Sequence, residues 1–325
     1  SNNPDDGQVV DNGDGDDDGD GDSNNPDDGQ VVDNGDGDDD DDDSQNTITI
    51  TENFAGKSEQ ESGKVDILWV VDNSGSMENE QAALSYNFDI FINQFIDQDI
   101  DFQMGITTTD PRRWYNGDMV GDPSKLNSSY AKSNESSFLR HFKNQIQVGT
   151  NGYGEEMGLK TMKSFLEKNS SIFRDDAYLA IVILSDEEEQ SSSSANNYVN
   201  FLSTLKPNAG MVKVHSIVTK ELNNNQWETV GQKYLDVSSA TNGIQASIKE
   251  DFFGILQDMG EKIVTFATSF PLSNTPIESS LEVYINDELQ TSGWSFDASI
   301  NAVKFDENMA PQDGDQIKVV YETAQ

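Results

Sequence analysis

The chain has 325 residues, a mass of 35.9 kDa and a formal net charge of −40, with no cysteine and two histidines. A chain this negative repels phosphates and anionic lipid heads, which argues against nucleic-acid partners and electrostatic membrane docking. The missing cysteine excludes disulfides, thiolate zinc sites and a cysteine nucleophile, and His141 with His215 are too few for an imidazole-rich metal site.

The charge is uneven. Residues 1–45 contain nineteen Asp and no Lys or Arg, whereas the other 280 carry forty-one acids against twenty bases. The opening SNNPDDGQVVDNGDGDDDGDGD returns from Ser23, a period of twenty-two residues whose only apolar members are two Val pairs. Two copies cannot build a solenoid, and nothing in them offsets the entropy of ordering, so a disordered acidic tether is expected over 1–45. Asp14, Asp16, Asp18 and Gly19 match the first positions of an EF-hand calcium loop. Asn25 stands where a bidentate Glu is needed, however, and Asp41 replaces the glycine in the second copy, so the spacer reading is favoured over calcium adsorption. No apolar run approaches the roughly eighteen residues of a membrane span. The chain begins with Ser rather than Met, so removal of an N-terminal targeting segment is expected, which permits export without requiring it.

Thr47 to Thr51 alternates like a short strand and leads into a polar stretch, giving a strand-and-linker segment over 46–62. Val65 to Val71 is a near-continuous apolar run suited to a buried parallel strand. Ala83, Leu84, Phe88, Phe91, Ile92, Phe95 and Ile96 recur at helical spacing over 78–96. A strand is expected at Ile100 to Thr107, a helix at 155–168, a buried strand at Tyr178 to Ser185, a helix near 195–205, a strand at Met211 to Thr219 and a long helix near 247–266. This alternation predicts an α/β fold over 63–267, a Rossmann-like doubly wound, mostly parallel sheet with helices on both faces. Trp69 and His215 fall inside strands and read as core. From 268 to 325 the short strands Leu281 to Ile285, Gly293 to Phe296, Ala302 to Phe305 and Gln316 to Tyr321 predict a small antiparallel, β-sandwich-like module. At about fifty-five residues it is near the limit for folding alone, so packing on the α/β body, with the 47–51 strand added to its sheet, is expected.

The chemistry sits where the first buried strand ends. Asp72, Ser74 and Ser76 alternate in an extended loop and so present one carboxylate and two hydroxyls in one direction, with Gly75 allowing the tight path. Asp186 directly follows the strand Tyr178 to Ser185, at the same carboxyl rim where open α/β sheets bind ligands. Carboxylates and hydroxyls without His or Cys describe a hard-cation site, Mg²⁺ first, then Mn²⁺ or Ca²⁺. Glu187, Glu188 and Glu189 extend the acidic run, and a solvated face is its commoner explanation.

VDILWVVDNSGSM and AIVILSDEEE resemble the first and last elements of the von Willebrand factor A family, whose metal-ion-dependent adhesion site combines DxSxS, a Thr and a distal Asp. The resemblance covers roughly 63–267. It implies Ser74 and Ser76 as direct ligands, Asp72 and Asp186 acting mostly through water, and an ion whose open position accepts a partner's carboxylate. The Thr that the family places before a helix corresponds to Thr150; the long gap to the helix leaves Glu156 as the other candidate.

The segment Thr107 to Val148 reads as a long loop leaving the same rim, and its Arg112, Arg113, Trp114 and Tyr115 are residue types that dominate binding hot spots. His141 has no acid or Ser partner at recognisable spacing, so a hydrolytic triad has no support. The layout of acidic spacer, A-type domain and β module resembles bacterial surface lipoproteins. It implies a non-enzymatic adhesin at the cell surface or in the outer membrane or periplasm, lipid-anchored ahead of Ser1. The partner would be a protein or glycan offering a carboxylate. A metal-dependent hydrolase or chelatase subunit, and a domain merely stabilised by a cation, are the alternatives.

Overall fold

The computed structural model describes residues 47–55, 63–222, 229–306, 309–312 and 314–324. The acidic tether, its calcium-loop match and most of the expected linker lie outside the described residues.

Five strands form a parallel sheet. Strand β1 (Thr47–Ala55) belongs elsewhere; the parallel sheet begins with β2 (Lys64–Val71), followed by helix α1 (Glu78–Asp97) and β3 (Asp101–Thr108). The chain continues through α2 (Ser128–Ser133), α3 (Glu135–Gln145), α4 (Gly158–Lys168), β4 (Tyr178–Ser185), α5 (Ala195–Leu202), β5 (Val212–Val218), α6 (Gln232–Ala240), β6 (Gln245–Ser247) and α7 (Phe252–Ala267). The strand order is β3-β2-β4-β5-β6. From β2 the chain steps outward to β3, then crosses back over β2 to β4, so the order reverses at β2 and β4 and opens a crevice at their carboxyl ends.

Burial explains the sequence pattern. β2 and β4 are covered on both faces, so every residue of β4 is buried and the run reads as continuous rather than alternating. On one face, Trp69 meets Phe91 and Phe142 edge to face among Phe88, Phe95 and Phe138 from α1 and α3, with α7 alongside. On the other, Leu68, Val70 and Ile183 pack on Leu159, Met162 and Phe165 of α4 and on Tyr198 and Tyr234 of α5 and α6. Each buried aromatic contributes about 2–3 kcal/mol, which is what pins the helices to the sheet.

The expected long loop is corrected: it contains α2 and α3. Asn127 and Asn134 cap them by accepting the Tyr130 and Ser137 N–H groups, while Phe138 and Phe142, one turn apart, face the core. The helix expected from 155 begins instead at Gly158, and the helix expected from 247 begins at Phe252 behind its Asp251 cap, because 245–247 pair as an edge strand.

The remaining strands are β7 (Phe270–Pro271), β8 (Glu282–Ile285), β9 (Glu288–Gln290), β10 (Trp294–Asp297), β11 (Ala302–Phe305) and β12 (Gln316–Ala324). They form two antiparallel sheets, β1-β12-β8-β9 and β10-β11-β7. β1 pairs with β12 from Thr47 opposite Ala324 to Ala55 opposite Gln316, so the strand ahead of the α/β body completes the sheet at the far end of the chain. Phe270, Val283, Val303, Ile317 and Val319 form the core between them. Glu52 of β1 is buried there and accepts from Tyr321 Oη, the Ser273 N–H and the Asn208 amide.

Candidate metal centre

The loop after β2 carries DNSGSM over the crevice. Asp72 is buried: its Oδ1 accepts the Ser74 N–H at 2.8 Å and its Oδ2 accepts Ser185 Oγ at 2.7 Å from the end of β4. Ser74 Oγ and Ser76 Oγ lie 3.1 Å apart, so the two hydroxyls do share one direction. Asp186, also buried, follows β4, and its carbonyl accepts Thr219 Oγ1 at 3.0 Å from the end of β5.

Two glycines bring a third loop onto this one. Gly149 has φ +88°, a left-handed conformation, and its N–H and C=O both bond to the side chain of Gln81, which also donates to the Asp72 carbonyl at 2.8 Å. Gly152 N–H donates to the Asn73 carbonyl at 2.7 Å, and a side chain at 152 would collide with Asn73, its Cβ lying 2.4 Å from Asn73 Oδ1. The clamped loop then delivers Glu156, fully buried, two residues before α4. Glu156 Oε2 accepts Gln190 Nε2 at 3.2 Å, while its buried Oε1 has no hydrogen-bond partner.

The electrostatics follow from this crowding. Burial raises the Asp72 carboxyl to about 6; the Ser185 and Ser74 bonds pull it down and the Asp186 charge pushes it up. Burial, then the charges of Asp72 and Glu187, hold Glu156 well above the usual carboxylate range, and burial raises Glu187 too. Like charges buried together are costly unless a proton or a cation joins them. The residues present fit a hard divalent cation. The donors are hydroxyl and carboxylate oxygens without nitrogen or sulfur, and a buried carboxylate oxygen is left over. Among the described residues no three His, Asp or Glu side chains stand together as a ready carboxylate cage, so such an ion would depend on the Ser hydroxyls and on water.

The structure thus brings Asp72, Ser74, Ser76 and Asp186 to one rim and adds Glu156. Thr150 is half-buried in the loop between the two glycine contacts, with no hydrogen bond to Asp72, Ser74 or Ser76 among the described residues. The Glu187–Glu189 run is not a solvated face. Glu189 is buried and accepts the Leu159 and Ser191 N–H groups at 2.7 and 3.2 Å, capping α4; Glu188 accepts the Lys233 N–H at 3.0 Å, capping α6; Glu187 leans toward Glu156. Ser185 and Gln81 were not anticipated. A hydroxyl closing the apolar run AIVILS, and a Gln on the buried stripe of α1, were the available signals.

Arg112 stays exposed but is tied down: its guanidinium engages both oxygens of buried Asp110 and lies over the Tyr115 and Tyr153 rings at 4.9 and 5.8 Å. Arg113, Tyr115 and Trp114, the last 75% exposed, remain at the surface, with Arg113 over the Trp114 ring. His141 packs against Tyr130 on the outer side of α3. No helix among the described residues is long and apolar enough to cross a membrane.

No protein-family model matches the chain, and no curated protein does either. Among solved structures it is similar to the pilus adhesin SpaC from Lactobacillus rhamnosus GG in its open conformation, at 13% identity and a TM-score of 0.44, covering 85% of this chain and 40% of that one. It is also similar to proximal thread matrix protein 1 from the mussel byssus, at 14% identity and a TM-score of 0.41, covering 67% of this chain and 48% of that one. A form of the latter with a zinc occupied MIDAS motif gives 13% identity, a TM-score of 0.42 and the same coverage. The chain therefore spans less than half the length of each of these proteins.

Proposed function

We propose that the chain is a non-enzymatic, cation-dependent ligand-binding protein built on a von Willebrand factor A-type fold. The crevice at the ends of β2 and β4 would hold one divalent ion, Mg²⁺ first and Mn²⁺ or Ca²⁺ next, and through it grip a carboxylate of a protein or glycan partner. One observation carries this reading: Asp72, the Ser74–Ser76 hydroxyl pair, Asp186 and Glu156 converge from three loops at the reversal of strand order, with a buried Glu156 oxygen unpartnered.

In this proposal Ser74 and Ser76 are direct donors, Asp72 and Asp186 act mostly through water, and Glu156 takes the third-loop place in preference to Thr150. When bound, the ion supplies an electrophilic centre whose open position accepts an acidic oxygen. The protein's part is to hold that geometry: Ser185 and the Ser74 N–H fix Asp72, and Gln81 ties the Glu156 loop to the Asp72 backbone. Binding is favoured over hydrolysis because the two site hydroxyls bond each other and neither histidine pairs with them. Display at the cell surface or in the outer membrane or periplasm, on the acidic tether and a lipid anchor ahead of Ser1, belongs to the same proposal.

The test is binding of the full chain to a panel of immobilised acidic glycans and proteins in Mg²⁺ and in EDTA, with Asp72→Asn as control. Binding lost in EDTA at an unchanged unfolding temperature supports the reading. Collapse of the fold in EDTA would make the cation structural, and Mg²⁺-dependent turnover of phosphoesters would make the protein an enzyme.

A further inference from the structure

His215 and Lys213 both lie on β5 and take no part in the metal centre described above. His215 is buried, and its Nδ1 accepts the Ile244 N–H at 3.1 Å. A neutral imidazole that accepts at Nδ1 carries its proton at Nε2. That Nε2 is buried and has no partner among the described residues, an orphan donor whose desolvation nothing in the protein offsets.

The imidazole lines a cavity of about 30 Å³ between β5, α7 and the β10–β11 turn, enough for one small species by the measure that a water needs about 10–15 Å³. Two lysines share its lining, buried Lys213 from β5 and exposed Lys262 from α7, and both charges act on His215. Lys213 is buried; its Nζ donates to the Ile300 carbonyl at 2.7 Å and faces the Phe266 ring at 5.3 Å. No acid lines the cavity, and no described carboxylate pairs with Lys213. A buried ammonium without a counter-charge is strongly disfavoured, and here burial alone lowers Lys213 to about 8. An orphan N–H and an ammonium without a counter-charge therefore meet in one cavity, inside a chain of net charge −40.

We infer that this cavity is a binding site for one small monovalent anion of chloride size, held by His215 Nε2–H and the Lys213 and Lys262 ammonium groups, at the joint between the parallel sheet and the C-terminal sheets. The surrounding negative charge keeps the affinity modest, and the size of the space excludes a phosphate. The ligand ties β5 and α7 to the turn at Ser299 and Ile300, so its binding appears as stability.

The test uses the full chain at pH 7 and constant ionic strength, comparing sodium chloride with sodium gluconate, whose anion is too large to enter. Chloride is expected to raise the unfolding temperature by about 2 °C or more, and the response to vanish in Lys213→Met. Lys262→Met, at an exposed position, covers the case in which the buried substitution fails to fold, and should weaken the response. Crystals grown in bromide should show one anomalous peak within hydrogen-bond distance of His215 Nε2. Equal unfolding temperatures in the two salts, or a cavity holding only water in bromide, would overturn the inference.

Discussion

Ser185 Oγ donates to Asp72 Oδ2 at 2.7 Å, tying the ends of the two central strands at the point where strand order reverses. Because this bond and the one from the Ser74 N–H satisfy both Asp72 oxygens, the fold does not depend on the carboxylate charge. Asp72→Asn should leave the unfolding temperature in EDTA unchanged or slightly raised, since a buried charge is removed, while Mn²⁺ affinity measured by calorimetry falls at least about tenfold. Ser74→Ala with Ser76→Ala should do the same by removing the direct donors. A variant that binds Mn²⁺ within twofold of the parent would remove the assignment.

Glu156 and Thr150 can be separated by the same titration. Glu156→Gln keeps the shape and the bond from Gln190 but removes the charge of the unpartnered oxygen, so a loss of about tenfold in Mn²⁺ affinity is expected. Thr150→Ala should change affinity by less than about twofold. The reverse ranking would return the third-loop role to Thr150.

Glu189 lies three residues from Asp186 yet faces away from the crevice, onto the first turn of α4. Glu189→Ala leaves the Leu159 and Ser191 N–H groups without their acceptor and should cost about 1–2 kcal/mol in urea unfolding, with cation affinity preserved. Loss of cation binding without loss of stability would reassign Glu189 to the metal centre.

How much of this was legible follows from what each signal depends on. Continuous apolar runs such as Val65 to Val71 report burial on both faces, so the parallel strands and the rim positions of Asp72 and Asp186 could be read directly. The helices α2 and α3 hid in a polar stretch because their caps are Asn residues that read equally as loop, and only the Phe138–Phe142 pair betrayed them. Glu156 was obscured because its role comes from tertiary approach: Gly152 against Asn73 and Gly149 against Gln81 fold the loop so that a residue two positions before α4 reaches the crevice. The Glu187–Glu189 run looked solvated because a charge run does not show which helix N-termini lie beside it.

Lys213 gives the chain a pH signature. Its folded value of about 8 lies below the unfolded 10.5, so between these values the unfolded chain holds a proton that the folded chain has released. Stability then rises with pH across that window, by at most about 3 kcal/mol from this group. Burial raises Tyr178 and Tyr234, so above about pH 10 the unfolded tyrosines ionise first and stability falls again. Urea unfolding in gluconate buffer should show the rise from pH 8 to 10, and Lys213→Met should flatten it. A wild-type profile that falls through this window would contradict the burial of an unpaired ammonium.

The ends of the chain give the last prediction. Residues 1–45 contain no core-forming residues beyond two Val pairs, so their deletion should leave the unfolding temperature unchanged. Extending the deletion through Ala55 removes β1, strips the nine-residue antiparallel pairing from β12, and takes with it Glu52, the shared acceptor of Tyr321, Ser273 and Asn208. A clear drop in unfolding temperature is expected, and Glu52→Ala alone should cost about 2–4 kcal/mol because three donors lose their acceptor in a buried setting. Since Asn208 leads into β5 whereas Tyr321 lies on β12, the same substitution should loosen the C-terminal sheets from the α/β body, visible as faster amide exchange in β12 and β8 with β2 and β4 unchanged. Uniform acceleration across all four strands would mean that the two parts unfold as one unit and that Glu52 acts on global stability alone.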